Sequence, residues 1–176
     1  MSKANVAKLV VVGVILGGVV LVLLFRQGSR FPQLGDSAPD FTLPTLKGET
    51  LRLSDYRRQV VVLNLWATWC PPCVEETPSL KKFADQMAGR GVAVVSISVD
   101  EDAKALADFV SKYDLTYPVA RDPDQAVTSR YGTFKFPETY ILDEDGRIAD
   151  KFIGAVDWQD PRLREFVLNL ARAQAR

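Results

Sequence analysis

Two cysteines set three positions apart are the residues of this chain best suited to chemistry. Cys70 and Cys73 are the only cysteines among 176 residues, and the chain contains no histidine. The β-branched and apolar run 60–65 before them is typical of a buried strand, and the apolar spacing after Cys73 is helical. The cysteines therefore lie at a strand-to-helix junction, with Cys70 at its exposed edge. Free N–H groups and the helix dipole stabilise an anion there, which predicts a Cys70 pKa below the usual value of about 8.5.

A Cys-x-x-Cys pair can also be half of a metal site or a structural bridge. A zinc site would need carboxylates or a second chain, because the sequence offers no histidine and no third cysteine. A bridge across two residues closes too small a loop to restrict the unfolded chain much. The pattern therefore favours thiol–disulfide exchange, in which Cys70 attacks a disulfide and Cys73 resolves the mixed disulfide. We expect no metal, and no cofactor beyond the redox-active Cys70–Cys73 disulfide.

Three stretches of the chain together resemble one superfamily. They are Trp66-Ala67-x-Trp69-Cys70-x-Pro72-Cys73 followed by Pro78, Phe136-Pro137-Glu138-Thr139-Tyr140-Ile141-Leu142-Asp143, and Gly35-Asp36-x-Ala38-Pro39-Asp40-Phe41-x-Leu43. They resemble the active site, the cis-proline loop and the N-terminal hairpin of the thioredoxin superfamily, within it the anchored TlpA, ResA and CcmG group. The likeness covers residues 34–170. It implies a thioredoxin-like α/β fold, a mixed central sheet flanked by helices, with an N-terminal hairpin and a central helix–strand insertion.

The apolar periodicity along the chain predicts elements that suit this fold and position the cysteines. The predicted strands are 40–46 and 50–53, which form the hairpin, then 60–65, 92–99, a strand beginning at 117, and 139–142 with 148–153 as an antiparallel pair at the sheet edge. The predicted helices are 71–89, 102–113, 124–131 and 161–172. The inserted helix and strand fall at about residues 100–122.

The N-terminal residues predict one transmembrane helix. Residues 9–25 are all apolar or glycine, and as a helix they would span about 26 Å. A cleaved signal peptide is the alternative, but its apolar region is usually about 7 to 15 residues long and ends at an Ala-x-Ala-like site. This stretch runs into Phe25-Arg26, which favours an uncleaved anchor. The predicted organisation is a cytoplasmic tip and anchor at 1–26, a linker at 27–36 and a thioredoxin-like domain at 37–176.

The charged residues indicate how the predicted transmembrane helix is oriented and which partners the protein has. Lys3 and Lys8 precede the apolar stretch while Arg26 and Arg30 follow it, a slight bias that favours a cytoplasmic amino terminus. The expected localisation is single-pass in a bacterial cytoplasmic (inner) membrane, with the catalytic domain facing the periplasm or the cell exterior, where a cysteine pair meets disulfides. Basic and acidic side chains both number 22, and this balance gives no indication of a nucleic-acid partner.

Resolution of the mixed disulfide needs a group that takes the proton of Cys73, which we expect to be buried in the first helical turn. In plain thioredoxins this base is a buried aspartate two residues before the first tryptophan, and Asn64 occupies that position here. Glu76, three residues after Cys73 and on the same helical face, is the predicted catalytic replacement, as in the TlpA-like group. The alternative is an exposed first-turn glutamate that merely suits the helix dipole. Glu75 is the weaker choice.

The resemblance also implies a substrate-binding surface around Cys70. Phe136 and Pro137 would face the nucleophile, and the Phe136 backbone would pair with an extended substrate as an added strand. Trp69 would form part of the exposed rim. Glu138 either contributes to the same face or has a structural role.

The expected function is that of a membrane-anchored protein-disulfide reductase. The resemblance implies a membrane thiol–disulfide transporter as electron donor and disulfide-containing extracytoplasmic proteins as substrates, such as apocytochrome c before haem attachment. A thiol peroxidase of the peroxiredoxin-like branch is an alternative, disfavoured because Ala67 lies three residues before Cys70 where a threonine would be expected. A copper-site assembly module is another, although the chain offers no histidine and only two methionines as further soft ligands.

Overall fold

The computed structural model describes residues 13, 15–18 and 31–173, and residues 13 and 15–18 are helical. The chain divides into two units after Phe31, and the cysteines belong to the second. Among the described residues, no helix is long and apolar enough to cross a membrane. The predicted anchor at 9–25 lies mostly outside them and stays a prediction, as do the domain bounds given above.

The second unit contains the strands and helices that the periodicity predicted. The strands are β1 (Thr42–Pro44), β2 (Thr50–Arg52), β3 (Val60–Trp66), β4 (Val92–Ser98), β5 (Val119–Arg121), β6 (Glu138–Leu142) and β7 (Ile148–Ile153). The helices are α1 (Pro71–Met87), α2 (Ala103–Lys112), α3 (Ala126–Tyr131) and α4 (Pro161–Ala173), with a 3-10 helix at Leu53–Tyr56.

Within the described part of the chain, the later strands form a mixed sheet in the order β5-β4-β3-β6-β7. β3, β4 and β5 run parallel to one another, whereas β6 runs antiparallel to β3 and β7 antiparallel to β6. β1 and β2 pair separately as the predicted hairpin. The inserted α2 and β5 extend the sheet beyond β4. The mixed sheet, the hairpin and the insertion agree with the predicted architecture.

The central strand β3 is buried along its whole length, because both faces of the sheet are covered. Leu63 and Leu65 face a core that includes the hairpin residue Leu51. Val62 faces the opposite core, where Phe83 of α1 packs. Complete burial of each such side chain contributes about 1.5–3 kcal/mol to stability, so β3 is a rigid support for the residues at its end.

Several predicted ends of helices and strands differ from the observed ones for local reasons. α1 ends at Met87 rather than at residue 89, and the two glycines that follow, Gly89 and Gly91, both adopt φ 74°. β5 begins at Val119 rather than at residue 117, since Pro118 has no N–H to donate to a neighbouring strand. α3 begins at Ala126, two residues later than predicted, because the residue before it has a left-handed φ of 55°.

The short helix α3 is held at its start by a buried carboxylate. Asp122, which is fully buried, accepts hydrogen bonds from the backbone N–H groups of Val127 at 3.0 Å and Thr128 at 2.9 Å. At the other end of the helix, the ring of Tyr131 packs against Tyr140 of β6 with 5.0 Å between centroids. The helix is thus fixed at both ends before the chain enters the loop at residues 132–137.

Replacing Asp122 with alanine leaves these two buried N–H groups without an acceptor. We expect Asp122→Ala to lower the free energy of unfolding by about 1–3 kcal/mol, measured by urea denaturation. Asp108→Ala is the matched control, because the Asp108 side chain is 66% exposed and its ion pair with Lys104 lies at the surface. The control should cost less than about 0.5 kcal/mol, and equal effects of the two changes would contradict the assigned role of Asp122.

Candidate active site

The pairing of β3 with β6 brings two distant loops together. Leu65 lies opposite Glu138, and Asn64 lies opposite Thr139. Because the strands are antiparallel, the carboxyl end of β3, which leads to Cys70, lies beside the amino end of β6. The loop that precedes β6 ends in the Phe136–Pro137 peptide bond, which is cis, as the resemblance implied.

Cys70 and Cys73 form a disulfide at the start of α1, with 5.3 Å between their Cα atoms. Cys70 is the N-cap residue of the helix, and the backbone N–H of Cys73 points at the Cys70 sulfur at 3.4 Å. The carbonyl oxygen of Phe136 lies 3.4 Å from the same sulfur. In the reduced protein the N–H group stabilises a thiolate, whereas the carbonyl oxygen accepts a hydrogen bond from the protonated thiol. The Cys70 sulfur therefore lies between groups that favour its two protonation states.

The expectation that Cys70 lies at an exposed edge is wrong, since its residue is only 5% exposed. Cys73 is buried, as predicted. Phe136 packs against the cluster that contains both cysteines, and this cover explains the burial of Cys70. Trp69 is 64% exposed, and its ring meets that of Phe136 edge-on at 6.2 Å, in agreement with the predicted rim.

Glu76 is buried one helical turn after Cys73, at 4% exposure, which excludes the exposed first-turn alternative. Its Oε1 accepts hydrogen bonds from the Trp158 indole N–H at 2.8 Å and the Val156 backbone N–H at 3.2 Å, and its Oε2 faces the Asn64 amide at 3.4 Å. Burial raises the pKa of the carboxyl, and these hydrogen bonds oppose part of the rise. Of the hydrogen bonds described for Glu76, none goes to a cysteine sulfur, so its catalytic role stays a prediction.

Asn64 occupies the position of the thioredoxin aspartate but serves as a donor. Its Nδ2 donates to the Thr139 hydroxyl at 2.9 Å and to Glu76 at 3.4 Å. The amide thereby connects β3, β6 and α1. An amide cannot accept and carry a proton near neutral pH as a carboxylate does, so Asn64 does not take over the role of the thioredoxin aspartate.

Of the two roles considered for Glu138, at the substrate-binding face or in the structure, its contacts favour the structural one. Its side chain is 3% exposed, and its Oε1 accepts a hydrogen bond from the Tyr140 hydroxyl at 3.0 Å and forms an ion pair with Lys151. These contacts tie the strand that follows Pro137 to β7. The carboxylate is thus engaged with the sheet and not with the cysteines.

Two residues that stabilise the site, Asp100 and Trp158, belong to no sequence motif. Asp100, just after β4, accepts hydrogen bonds from the backbone and hydroxyl of Thr68, and so fixes the loop before Cys70. The contact between Asp100 and Thr68 could have been anticipated from parallel pairing of β3 and β4. Trp66 and Ser98 are partners at the ends of these strands, and parallel strands end at the same edge of the sheet. Trp158 lies 82 positions from Glu76, and nothing in local spacing connects them.

The raised pKa of Glu76 should make stability depend on pH. Between the unfolded value of 4.5 and the folded pKa, the folded state keeps a proton that the unfolded chain has lost, so stability falls as pH rises through this window. Glu76→Gln removes that titration and retains a carbonyl to accept the indole N–H. We expect its free energy of unfolding to rise relative to wild type across the window, by about 1.4 kcal/mol for each pKa unit that separates the two states.

Urea denaturation of the oxidised protein from pH 4.5 to pH 8 measures this difference without interference from cysteine titration. Glu75→Gln is the matched control, because Glu75 is the exposed neighbour on the same helix. Parallel pH profiles of wild type and Glu76→Gln would contradict a raised pKa.

The fold, the cysteine pair and the cis-proline loop together define the class of thioredoxin-fold thiol–disulfide oxidoreductases. Comparison with known proteins agrees with this class. Residues 34–151 match the AhpC/TSA family. The chain is 32% identical over 157 residues to thiol-disulfide oxidoreductase ResA of Bacillus thuringiensis (strain Al Hakam), covering 88% of this chain and 91% of that protein. It is 40% identical over 127 residues to the thioredoxin-like protein YneN of Bacillus subtilis (strain 168), covering 70% and 74% respectively.

Among solved structures, a proposed thiol:disulfide interchange protein DsbE from Chlorobium tepidum superposes with a TM-score of 0.74 at 28% identity, covering 80% of this chain and 99% of that one. A secreted thiol-disulfide isomerase from Corynebacterium glutamicum superposes with a TM-score of 0.70 at 29% identity, covering 82% and 94%. The chain belongs to the AhpC/TSA family and is a thioredoxin-fold thiol–disulfide oxidoreductase similar to ResA.

Proposed function

We propose that the protein is a membrane-anchored reductase of disulfides in extracytoplasmic partner proteins, working through a Cys70/Cys73 dithiol–disulfide cycle. The observation that carries the proposal is the position of the Cys70 sulfur at the start of α1, against the carbonyl of Phe136, with the buried Glu76 carboxyl group one helical turn beyond Cys73. The similarity to ResA supports the same chemistry.

The first step is attack on the substrate. The Cys70 thiolate, stabilised by the Cys73 N–H and the helix N-terminus, attacks one sulfur of a substrate disulfide. The substrate S–S bond breaks, one substrate sulfur leaves as a thiolate, and a mixed disulfide joins Cys70 to the other.

The second step is resolution. Glu76, as the carboxylate, takes the proton of the buried Cys73 thiol, and the resulting thiolate attacks the Cys70 sulfur. The Cys70–Cys73 disulfide forms, and the second substrate sulfur leaves as a thiolate. Two electrons have passed from the dithiol to the substrate. A raised Glu76 pKa suits this role, since a carboxyl that titrates closer to neutral pH both accepts and returns a proton readily.

Substrate binding in this proposal uses Trp69, Phe136 and Pro137. Trp69 offers an exposed indole at the rim, and Phe136 places its backbone carbonyl beside the Cys70 sulfur. A polypeptide laid as a strand along the Phe136 backbone would bring its disulfide to Cys70. Because Cys70 itself is buried, a partner must fit closely between the two aromatic side chains to reach it.

The proposal also includes the orientation of the catalytic domain, its electron donor and its substrate class. The catalytic domain faces the periplasm or the cell exterior of a bacterial cytoplasmic membrane, a membrane thiol–disulfide transporter supplies electrons, and apocytochrome c is the leading substrate class. The two alternative functions considered from the sequence make different predictions. Rapid peroxide consumption by reduced protein would favour the thiol peroxidase, and tight copper(I) retention would favour the copper-assembly module.

The test is reduction of a disulfide-bonded Cys-x-x-Cys-His peptide by the reduced full-length protein, followed by mass spectrometry. Wild type should convert the peptide to its dithiol in one turnover, and Cys70→Ser should fall to the background rate because it lacks the attacking sulfur. Cys73→Ser should accumulate a covalent adduct with the peptide, since resolution is blocked.

The same peptide with serine in place of one cysteine, supplied as its glutathione mixed disulfide, is the control for non-specific exchange. Equal rates with both peptides would argue against a preference for this substrate class. Absence of peptide reduction by wild type, or of an adduct with Cys73→Ser, would contradict the proposed reductase.

A further inference from the structure

Trp158 lies in the loop between β7 and α4 and is fully buried. Its ring packs against Phe83 of α1 at 5.1 Å and Phe152 of β7 at 6.4 Å between centroids. The same loop is fastened to α1 a second time, by a hydrogen bond from the side chain of Gln159 to the Ser79 carbonyl at 3.1 Å. The indole N–H therefore points in a fixed direction, and that direction is toward the Glu76 carboxylate at 2.8 Å.

We propose that Trp158 is a positioning residue for Glu76: with the Val156 backbone N–H it holds Oε1, so that Oε2 is the oxygen that exchanges a proton with Cys73. This inference rests on the proposed function, in which Glu76 serves Cys73 as base. It adds which atom carries the proton and which side chain determines that choice.

The two oxygens of Glu76 differ in their surroundings. Oε1 receives two N–H donors, at 2.8 Å and 3.2 Å, and a proton placed there would face at least one of them. Among the residues that the structure describes, Oε2 has one hydrogen-bond contact, with Asn64 Nδ2 at 3.4 Å, beyond the usual range of 2.7–3.2 Å. Asn64 makes its shorter hydrogen bond, of 2.9 Å, to Thr139. Protonation of Oε2 therefore costs only one weak contact.

The other described groups around Glu76 do not offer a competing proton acceptor. Asn64 of β3 does not titrate near neutral pH. Tyr117, from the segment before β5, has its pKa raised by burial, with the Glu76 charge as a smaller cause, so its hydroxyl stays protonated at neutral pH. Asp157, in the same loop as Trp158, is exposed. Cys73, on the same helix, is the group whose proton is exchanged.

The first test uses Trp158→Phe in the full-length chain, which keeps an aromatic ring beside Phe83 and deletes the N–H. Reduced protein is mixed with oxidised glutathione, quenched in acid at set times, and the mixed disulfide and the Cys70–Cys73 disulfide are quantified by mass spectrometry from pH 5 to pH 9. Loss of a donor to the carboxylate should move the midpoint of the resolution rate upward by about one pH unit, a tenfold change in proton affinity.

The same change in a Glu76→Gln background separates positioning from general damage. If Trp158 acts through Glu76, then Glu76→Gln and the double variant should have superimposable pH profiles. A rate that Trp158→Phe lowers equally at every pH, or a shift that persists without Glu76, would overturn the inference. Failure of the wild type to exchange at all would instead overturn the proposed function.

A second measurement needs no substitution at Trp158 and so covers the case in which that variant does not fold. In the ¹H–¹⁵N spectrum of the oxidised wild type, the Trp158 indole resonance should move with pH as Glu76 titrates, and the movement should vanish in Glu76→Gln. The Trp66 indole, which donates to Ser96, is the internal control and should stay still. A Trp158 resonance that does not move with pH would overturn the inference.

Discussion

The register between β3 and β6 is the constraint on which the site depends. With Leu65 opposite Glu138, the residues that follow β3 and those that precede β6 must share one edge of the sheet. The disulfide at the start of α1 and the Phe136–Pro137 loop meet there for that reason, although 66 positions separate Cys70 from Phe136. A slip of one residue would place Asn64 and Thr139 on opposite faces of the sheet and break the hydrogen bond between them. The two flanking cores hold this register.

One helical turn beyond Cys73, the fold retains a buried carboxyl group, that of Glu76, which stability alone does not favour. Removing a carboxylate from water is costly, and the three donors around Glu76 offset only part of the cost, which is why burial still raises its pKa. A glutamine at this position would still accept the indole N–H and would avoid that penalty. Such a cost is expected where a group has a chemical task, because sites for proton transfer need carboxyl groups that titrate near the working pH.

Much of this arrangement follows from local sequence and the rest does not. The apolar run 60–65 predicts a strand, the apolar spacing after Cys73 predicts a helix, and the cysteine spacing predicts a redox pair, because these signals are short-range. The three-residue spacing from Cys73 also indicated Glu76. The burial of Cys70 was missed because it results from Phe136, which arrives from elsewhere in the chain. Trp158 was missed for the same reason: only the packing of the loop after β7 brings its indole to Glu76.

The equilibrium reduction potential of the Cys70–Cys73 pair in the full-length protein, measured against glutathione, tests the proposed direction of electron flow most directly. A reductase of extracytoplasmic disulfides must have a low reduction potential, so we expect a value near that of thioredoxin, about −270 mV. A value near that of a strong disulfide oxidant, about −120 mV, would mean that the pair accepts electrons from folding proteins, and would contradict the proposed direction.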